Sequence, residues 1–232
     1  MTTIQGDGFT VTVVKSKRRK TMALKVTHNG VSIHIPHSLA ITTADAFILK
    51  KQHWIKNKLF QQSQRILPEK QFIEGETFLL LDKPHTLRLY NANQNATVIK
   101  NNFDLEFRGR LKRLSVSAIR AAIITWYKHY ANHYLTTRTQ WLSEITGLYP
   151  TSITIKTYKA RWGSCSNKGE INFNWQLILA PQAVVDYVIF HELCHLRHPN
   201  HSADFWSLVL HFCPDYKLHR QWLKNNGYLL AI

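Results

Sequence analysis

The sequence predicts an α+β chain: a β-rich N-terminal half with one helix over residues 1–110, packed with a helical C-terminal half over residues 111–232, the two forming one compact unit. Three observations lead there. Short runs rich in Val, Ile, Thr and Leu, several of them alternating with polar residues, fill the first hundred positions. A single long stretch from Arg110 to about Ile145 repeats apolar residues at near-helical spacing. Three further helical patterns, punctuated by proline and glycine, follow position 180.

The elements follow in order. Residues 9–15 and 21–27 read as strands, with the basic run Lys15 to Lys20 as the hairpin end between them. Val31 to Ile35 alternates cleanly and stops at Pro36. Thr42 or Thr43 is the expected cap of a helix from about Ala44 to Arg65, closed by Pro68. Residues 77–81, 86–90, 96–100 and 103–107 are strand candidates separated by Asp-Lys-Pro and Asn-rich turns. Leu111, Leu114, Ile119, Ala122, Ile123, Trp126, Tyr130 and Leu135 stripe the long helix, which Gly147 is placed to stop. Residues 153–155 and 171–174 read as strands around the turn Ser166 to Gly169. Helices then run from about Pro181 to Arg197, 202–212 and 215–226. No internal repeat is visible in the sequence.

At 232 residues, 44% of them hydrophobic, the chain can bury a proper core. No stretch approaches the ~18 uncharged apolar residues of a membrane span, and the first residues do not form a secretory signal. Cys165, Cys194 and Cys213 are odd in number and make no Cys-x-x-Cys pair, which points to a reduced, cytoplasmic setting. The net charge is +16, of which +11 falls in residues 1–113. Its sharpest cluster is Lys15 to Lys20; a second set, Lys50, Lys51, Lys56, Lys58 and Arg65, lies on the expected helix. Such a field fits nucleic acid or nucleotides as partners, and equally a solvated basic face that serves solubility.

The most informative residues are His191, Glu192 and His195, which form a His-Glu-x-x-His run. On a helix, positions i and i+4 share a face, so both imidazoles reach one metal ion. The glutamate is then placed to take the proton of the attacking water. His201 follows six residues after His195, beyond Pro199 and Asn200, which end the helix and let the chain turn back. Three protein ligands with one open position make a catalytic zinc site rather than a closed structural one. The plainer alternative is a buried helix whose histidines bond to backbone.

The strings Arg161-Trp162-Gly163-Ser164-Cys165-Ser166, Gly169 to Trp175, Ala180-Pro181, the His-Glu-x-x-His run with Leu196, Asn200-His201-Ser202 and Phe205-Trp206 resemble the YgjP-like metallopeptidase family, a relative of SprT-like and WLM zinc hydrolases of gluzincin type. Arg18-Arg19-Lys20, Trp54-Ile55 and Leu80 to Pro84 fit the same family's N-terminal half. The resemblance implies a zincin-like C-terminal half, one zinc ion on His191, His195 and His201, and Glu192 as general base. Metzincins share the histidine spacing, but they carry a glycine where this chain has His198 and a later Met turn that this chain lacks.

Several roles stay open at the level of sequence. Tyr216, His198 and Arg161 are candidates for stabilising the transition state; each also has a plain reading, as a core aromatic, a surface residue or a structural ion pair. Asn172 and Asn174 share a strand face, and Asn174 is a candidate for substrate contact. Asn174 or Asp204 is expected to hold the far nitrogen of a ligand histidine. Gly163 is expected to permit a close approach that a side chain would block. Cys165 and Cys194 read as packing near the site. Three functions follow: a zinc peptidase acting on peptides or proteins, with residues 153–157 as the edge that aligns substrate; a nucleotide or phosphoanhydride hydrolase using Lys156, Lys159 and Arg161; and a non-catalytic, zinc-stabilised nucleic-acid-associated protein, which Glu192 argues against.

Overall fold

The computed structural model describes residues 2–27, 30–63, 69–113 and 115–232. The chain divides into two compact units, Met1–Pro68 and Glu69–Ile232. The division falls earlier than the sequence boundary at 110, because the strands of residues 77–109 share a core with the C-terminal helices.

The first unit is a four-stranded sheet followed by two helices. Strands β1 (Thr2–Gly6), β2 (Phe9–Ser16), β3 (Ala23–Thr27) and β4 (Gly30–Pro36) lie in the order β1-β2-β4-β3. β2 pairs parallel with β4, and β3 pairs antiparallel with β4. The basic run Lys15 to Lys20 is therefore not a hairpin end: β4 lies between the strands that the run connects. β1 escapes the sequence reading because it buries only Ile4. Helices α1 (Ile41–Lys50) and α2 (Gln52–Ser63) replace the single expected helix, with Lys51 between them. Helix α1 opens after Ala40 without a side-chain cap, so Thr42 and Thr43 lie inside it. Arg65 and Pro68 lie outside the described residues, as does Leu114. Ala44, Ile48 and Ile55 pack with Val11, Val31, Ile33 and Ile35, the inward positions of alternating strands.

The second unit repeats that strand order. β5 (Thr77–Leu80), β6 (Lys83–Asn91), β7 (Thr97–Asn101) and β8 (Asp104–Gly109) lie in the order β5-β6-β8-β7, again with the middle pair parallel. Each strand opens 74 or 75 residues after its counterpart (Thr2 and Thr77, Phe9 and Lys83, Ala23 and Thr97, Gly30 and Asp104), and the helices that follow open at Ile41 and Val116. The sequences differ, but the alternation of buried positions is kept, and alternation is what specifies a strand's face.

Helix α3 (Val116–Thr146) is capped by Ser115, whose side chain accepts from Ala118 N, and ends at Gly147 in the left-handed conformation. It starts later than expected, after a short 3-10 turn at Leu111–Arg113. Ile119, Ile123, Tyr127, Ala131 and Leu135 form its buried stripe. A third sheet holds β9 (Ser152–Lys156), β10 (Gly163–Cys165) and β11 (Glu170–Asn174) in the order β10-β11-β9. A 3-10 helix, Trp175–Leu179, leads into α4 (Gln182–Cys194), followed by α5 (Ala203–Phe212) and α6 (Tyr216–Asn226). The β5–β6 turn sits on that 3-10 helix. Leu81 and Asp82 both have positive φ, at 50° and 63°, and their N–H groups donate to Ile178 O and Leu179 O at 2.7 and 3.3 Å. Those bonds hold a left-handed turn that non-glycine residues otherwise avoid. Tyr127 Oη donates to Leu79 O at 2.8 Å, fixing α3 to the same strand.

Candidate metal centre

Helix α4 is buried on nearly every side: Val184, Val185, Tyr187, Val188, Ile189, Phe190, Leu193 and Cys194 are all in the core. Pro181 caps it, with its carbonyl accepting from Val184 N and Val185 N. His191 lies in its last turn and His195 is its C-cap, so the pair meets one face at the end of a rigid element. The chain then turns through Pro199 and Asn200. Asn200 Oδ1 accepts from Ser202 N, and Ser202 Oγ caps α5 by accepting from Phe205 N at 3.3 Å. This turn returns His201 to the histidine face.

The ligand nitrogens of His191, His195 and His201 lie within 4.8 Å of one another. His191 Nε2 and His201 Nε2 are 3.1 Å apart. Two nitrogens each ~2.05 Å from one tetrahedral ion would be roughly 3.3 Å apart, so the pair has the spacing that a shared cation requires. Phe205, fully buried, packs beneath all three rings at centroid distances of 5.0, 4.4 and 4.8 Å. Burial, then the charges of His195, His201 and Arg220, pushes His191 down to about 3. Burial also lowers His195, partly offset by its bond to the His198 carbonyl. Both rings therefore stay neutral at neutral pH with lone pairs free for a metal. His195 Nδ1 lies 3.0 Å from His198 O, which turns its Nε2 towards the cluster. His191 Nδ1 is buried with no partner among the described residues. The donor set fits a divalent transition-metal ion.

Glu192 is 5% exposed and adjoins that face. Burial raises its carboxyl to about 8, with the Arg161 cation pulling the other way. Its side chain lies against Gly163 of β10: a Cβ there would stand 2.5 Å from Glu192 Oε1 and 2.7 Å from its Cγ. The glycine is needed for close approach, as the sequence implied, and the group that approaches is the carboxylate itself. The Cys165 thiol, two residues on, is pushed up to about 11 by burial and by Glu192, so it stays protonated.

The other candidates divide by position. His198 meets the cluster through its backbone carbonyl. Tyr216 is buried and stacks on Trp206 at 5.3 Å, and Trp206 stacks on His201 at 5.5 Å, so Tyr216 sits one ring removed from a ligand. Asn174 is 2% exposed, and its amide donates to Tyr158 O at 3.2 Å and to Arg161 O at 3.5 Å while its Oδ1 accepts from Gln176 N. Those bonds tie down the 158–161 loop and leave no bond to a histidine. Asp204 is exposed in the first turn of α5. Arg161 is exposed and close enough to Glu192 to bias its carboxyl. The sheet edge beside Glu192 is β10; β9, which contains most of the expected 153–157 edge, is the opposite edge of that sheet. The three expected phosphate-binding cations also separate: Lys159 and Arg161 line one cavity, while Lys156 lines another with Lys128 and His129. Phe205 as the floor of the cluster was not legible as such, because an aromatic after a helix cap is ordinary core sequence.

Among the described residues no helix is long and apolar enough to cross a membrane. No curated protein matches the chain. A solved structure that resembles it is the metallopeptidase zymogen abylysin of Pyrococcus abyssi, at 23% identity and a TM-score of 0.35, covering 39% of this chain and 93% of that one. Residues 20–226, which take in β3 and β4 of the first sheet, the whole of the second four-stranded sheet and the histidine cluster, match the family described as YgjP-like, metallopeptidase domain. The chain belongs to the YgjP-like metallopeptidase family.

Proposed function

We propose that the chain is a zinc-dependent peptidase in which His191, His195 and His201 hold one zinc ion and Glu192 is the general base. The observation that carries the reading is the 3.1 Å approach of two imidazole nitrogens beside a buried carboxylate that only a glycine accommodates. Zinc held by these three neutral imidazoles would supply a Lewis acid and would lower the pKa of the attacking water to about 7.

Glu192 accepts a proton from the attacking water as the oxygen–carbon bond to the peptide carbonyl forms. It returns that proton to the amide nitrogen as the carbon–nitrogen bond breaks. Its raised affinity for a proton suits this exchange near neutral pH, and a nearby metal cation would bring it down towards the ionised form. The edge of β10 offers main-chain groups against which an extended peptide can align by strand addition. The three free cysteines agree with a reducing, cytoplasmic setting as part of the same reading.

Glu192→Gln keeps the shape of the side chain and removes the base. It should retain zinc and fold while turnover of unfolded-protein or peptide substrates falls at least ~10²-fold. His201→Ala should lose zinc affinity in metal analysis. Full activity in Glu192→Gln, or undiminished zinc in His201→Ala, would overturn this assignment.

A further inference from the structure

A cavity of about 400 Å³ is walled by the 158–162 loop on one side and the end of α6 with the C-terminal residues on the other. Its lining includes Lys159 and Arg161 and no carboxylate. Neither cation forms an ion pair among the described residues, although five other cations there, Lys56, Lys70, Arg88, Arg108 and Arg138, pair with acidic groups. Arg161 rests over the Tyr158 ring at 5.6 Å.

The walls are fixed before any ligand arrives. Buried Asn174 donates to Tyr158 O and Arg161 O, and its own N–H donates to Trp162 O at 2.8 Å, so the loop backbone is held along its length. Trp162 packs on Gly227, where a Cβ would stand 3.0 Å from the indole. A pocket whose loop does not reorganise on binding retains more of its interaction energy.

One wall of the cavity leads towards the candidate site. Arg161 is two residues upstream of Gly163, the residue against Glu192, and two residues of chain span at most about 7 Å. A substrate held at β10 would thus pass one of its neighbouring groups across this opening. A planar guanidinium beside an ammonium, in a partly enclosed space lined by no acidic side chain, is suited to a carboxylate held by charge-assisted hydrogen bonds.

We infer that this cavity is a substrate subsite that receives a carboxylate, from either an acidic side chain near the cleaved bond or a free C-terminus, so that the enzyme prefers peptides presenting a carboxylate there. The inference rests on the peptidase reading for its place in a reaction, and it makes a binding claim that can be tested without turnover.

The test is calorimetric titration of the full-length Glu192→Gln protein with matched peptides: acidic residue against its amide, and free C-terminus against amidated. The peptide bearing the recognised carboxylate should bind at least tenfold tighter than its amide counterpart, and which pair shows the difference identifies the source. The preference should vanish in Lys159→Gln/Arg161→Gln, persist in Arg161→Lys, and turn towards lysine-bearing peptides in Lys159→Glu, each variant checked by its melting profile. Equal affinity for every acid and amide pair overturns the subsite. Cleavage assays of the wild type separate the two ideas. Acid-selective binding with no peptide cut by the wild-type zinc protein would overturn the peptidase reading and uphold the subsite. Cleavage without acid preference would do the reverse.

Discussion

Gly163 and Glu192 set the tolerance of the site at the scale of single residues. The glycine has no left-handed backbone requirement; what it provides is room for the carboxylate. Gly163→Ala should therefore cost about 1–3 kcal/mol through overpacking. By displacing Glu192 on the order of an ångström it should also reduce kcat about 10²-fold. Thermal unfolding and peptide turnover measured together check this, and a variant of unchanged activity would mean that Glu192 has slack. The buried ionisable groups also predict how the metal-free protein responds to pH. Glu192 is raised from 4.5 to about 8, so between those values the folded state holds a proton that the unfolded state has lost, and stability falls as pH rises. His191 is lowered from 6.5 to about 3, so between those values the unfolded state holds the extra proton, and stability falls as pH drops. His195 is lowered as well, so it adds to the His191 slope below about pH 6.5, and Glu192 acts alone above it. Denaturation of the metal-free protein should show its greatest stability near pH 6.5 and a decline on either side. Zinc should raise stability most at neutral and alkaline pH, where it needs neutral imidazoles and offsets the Glu192 charge. A steady gain in metal-free stability from pH 6.5 to 8 would contradict the placement of Glu192 in a dry pocket.

At the scale of elements, what orients the metal helix lies far from it in sequence. Arg138 of α3 donates twice to Asp186 of α4, Nε to Oδ1 and Nη2 to Oδ2, both at 2.7 Å. The pair is mostly shielded, with side chains 22% and 18% exposed, and Arg138 also lies 4.2 Å over Trp141. Two parallel charge-assisted bonds fix the rotation of α4, and with it the face that carries His191 and His195. Asp186→Asn should destabilise by about 2 kcal/mol, seen as a lower denaturant midpoint at unchanged slope. Arg138→Gln/Asp186→Asn should cost less than the sum of the single changes, because neither partner is then left charged and alone. Additive losses would show that the two residues do not act as a pair. The β5–β6 turn is a second such device: its left-handed Leu81 and Asp82 are secured by carbonyls of the 3-10 helix that leads into α4.

Considered as a whole molecule, the charge is partitioned by unit. Residues 1–68 carry 11 basic and only two acidic residues, while the remaining 164 carry 19 and 12. Lys17 to Lys20 are exposed, and the half-exposed Trp54 of α2 lies one helical turn from Lys58. If this unit neutralises several phosphates, its affinity for DNA should drop about 10³-fold or more between 50 and 200 mM salt. Changing Lys17, Arg18, Arg19 and Lys20 to Ser should flatten that dependence. No binding at 50 mM salt would make the charge a matter of solubility.

The sequence by itself determined the class of the fold, most of the strands, the long helix with its Gly147 stop, and the three histidines with Glu192. These are local signals: alternation, helical spacing, and a motif whose histidines share one helix face or follow one turn away. The tertiary structure decided what depends on partners distant along the chain. β4 pairs beside β2, so Lys15 to Lys20 do not close a hairpin. The edge at Glu192 is β10 rather than β9. Asn174 holds a loop instead of a ligand, and His198 acts through its carbonyl. Phe205 floors the histidine cluster, and the repeated strand order survives only as a pattern of buried positions. The reason is physical: sheet order, edge exposure and burial are set by which elements fill one another's faces, and a residue's neighbours along the chain do not carry that information.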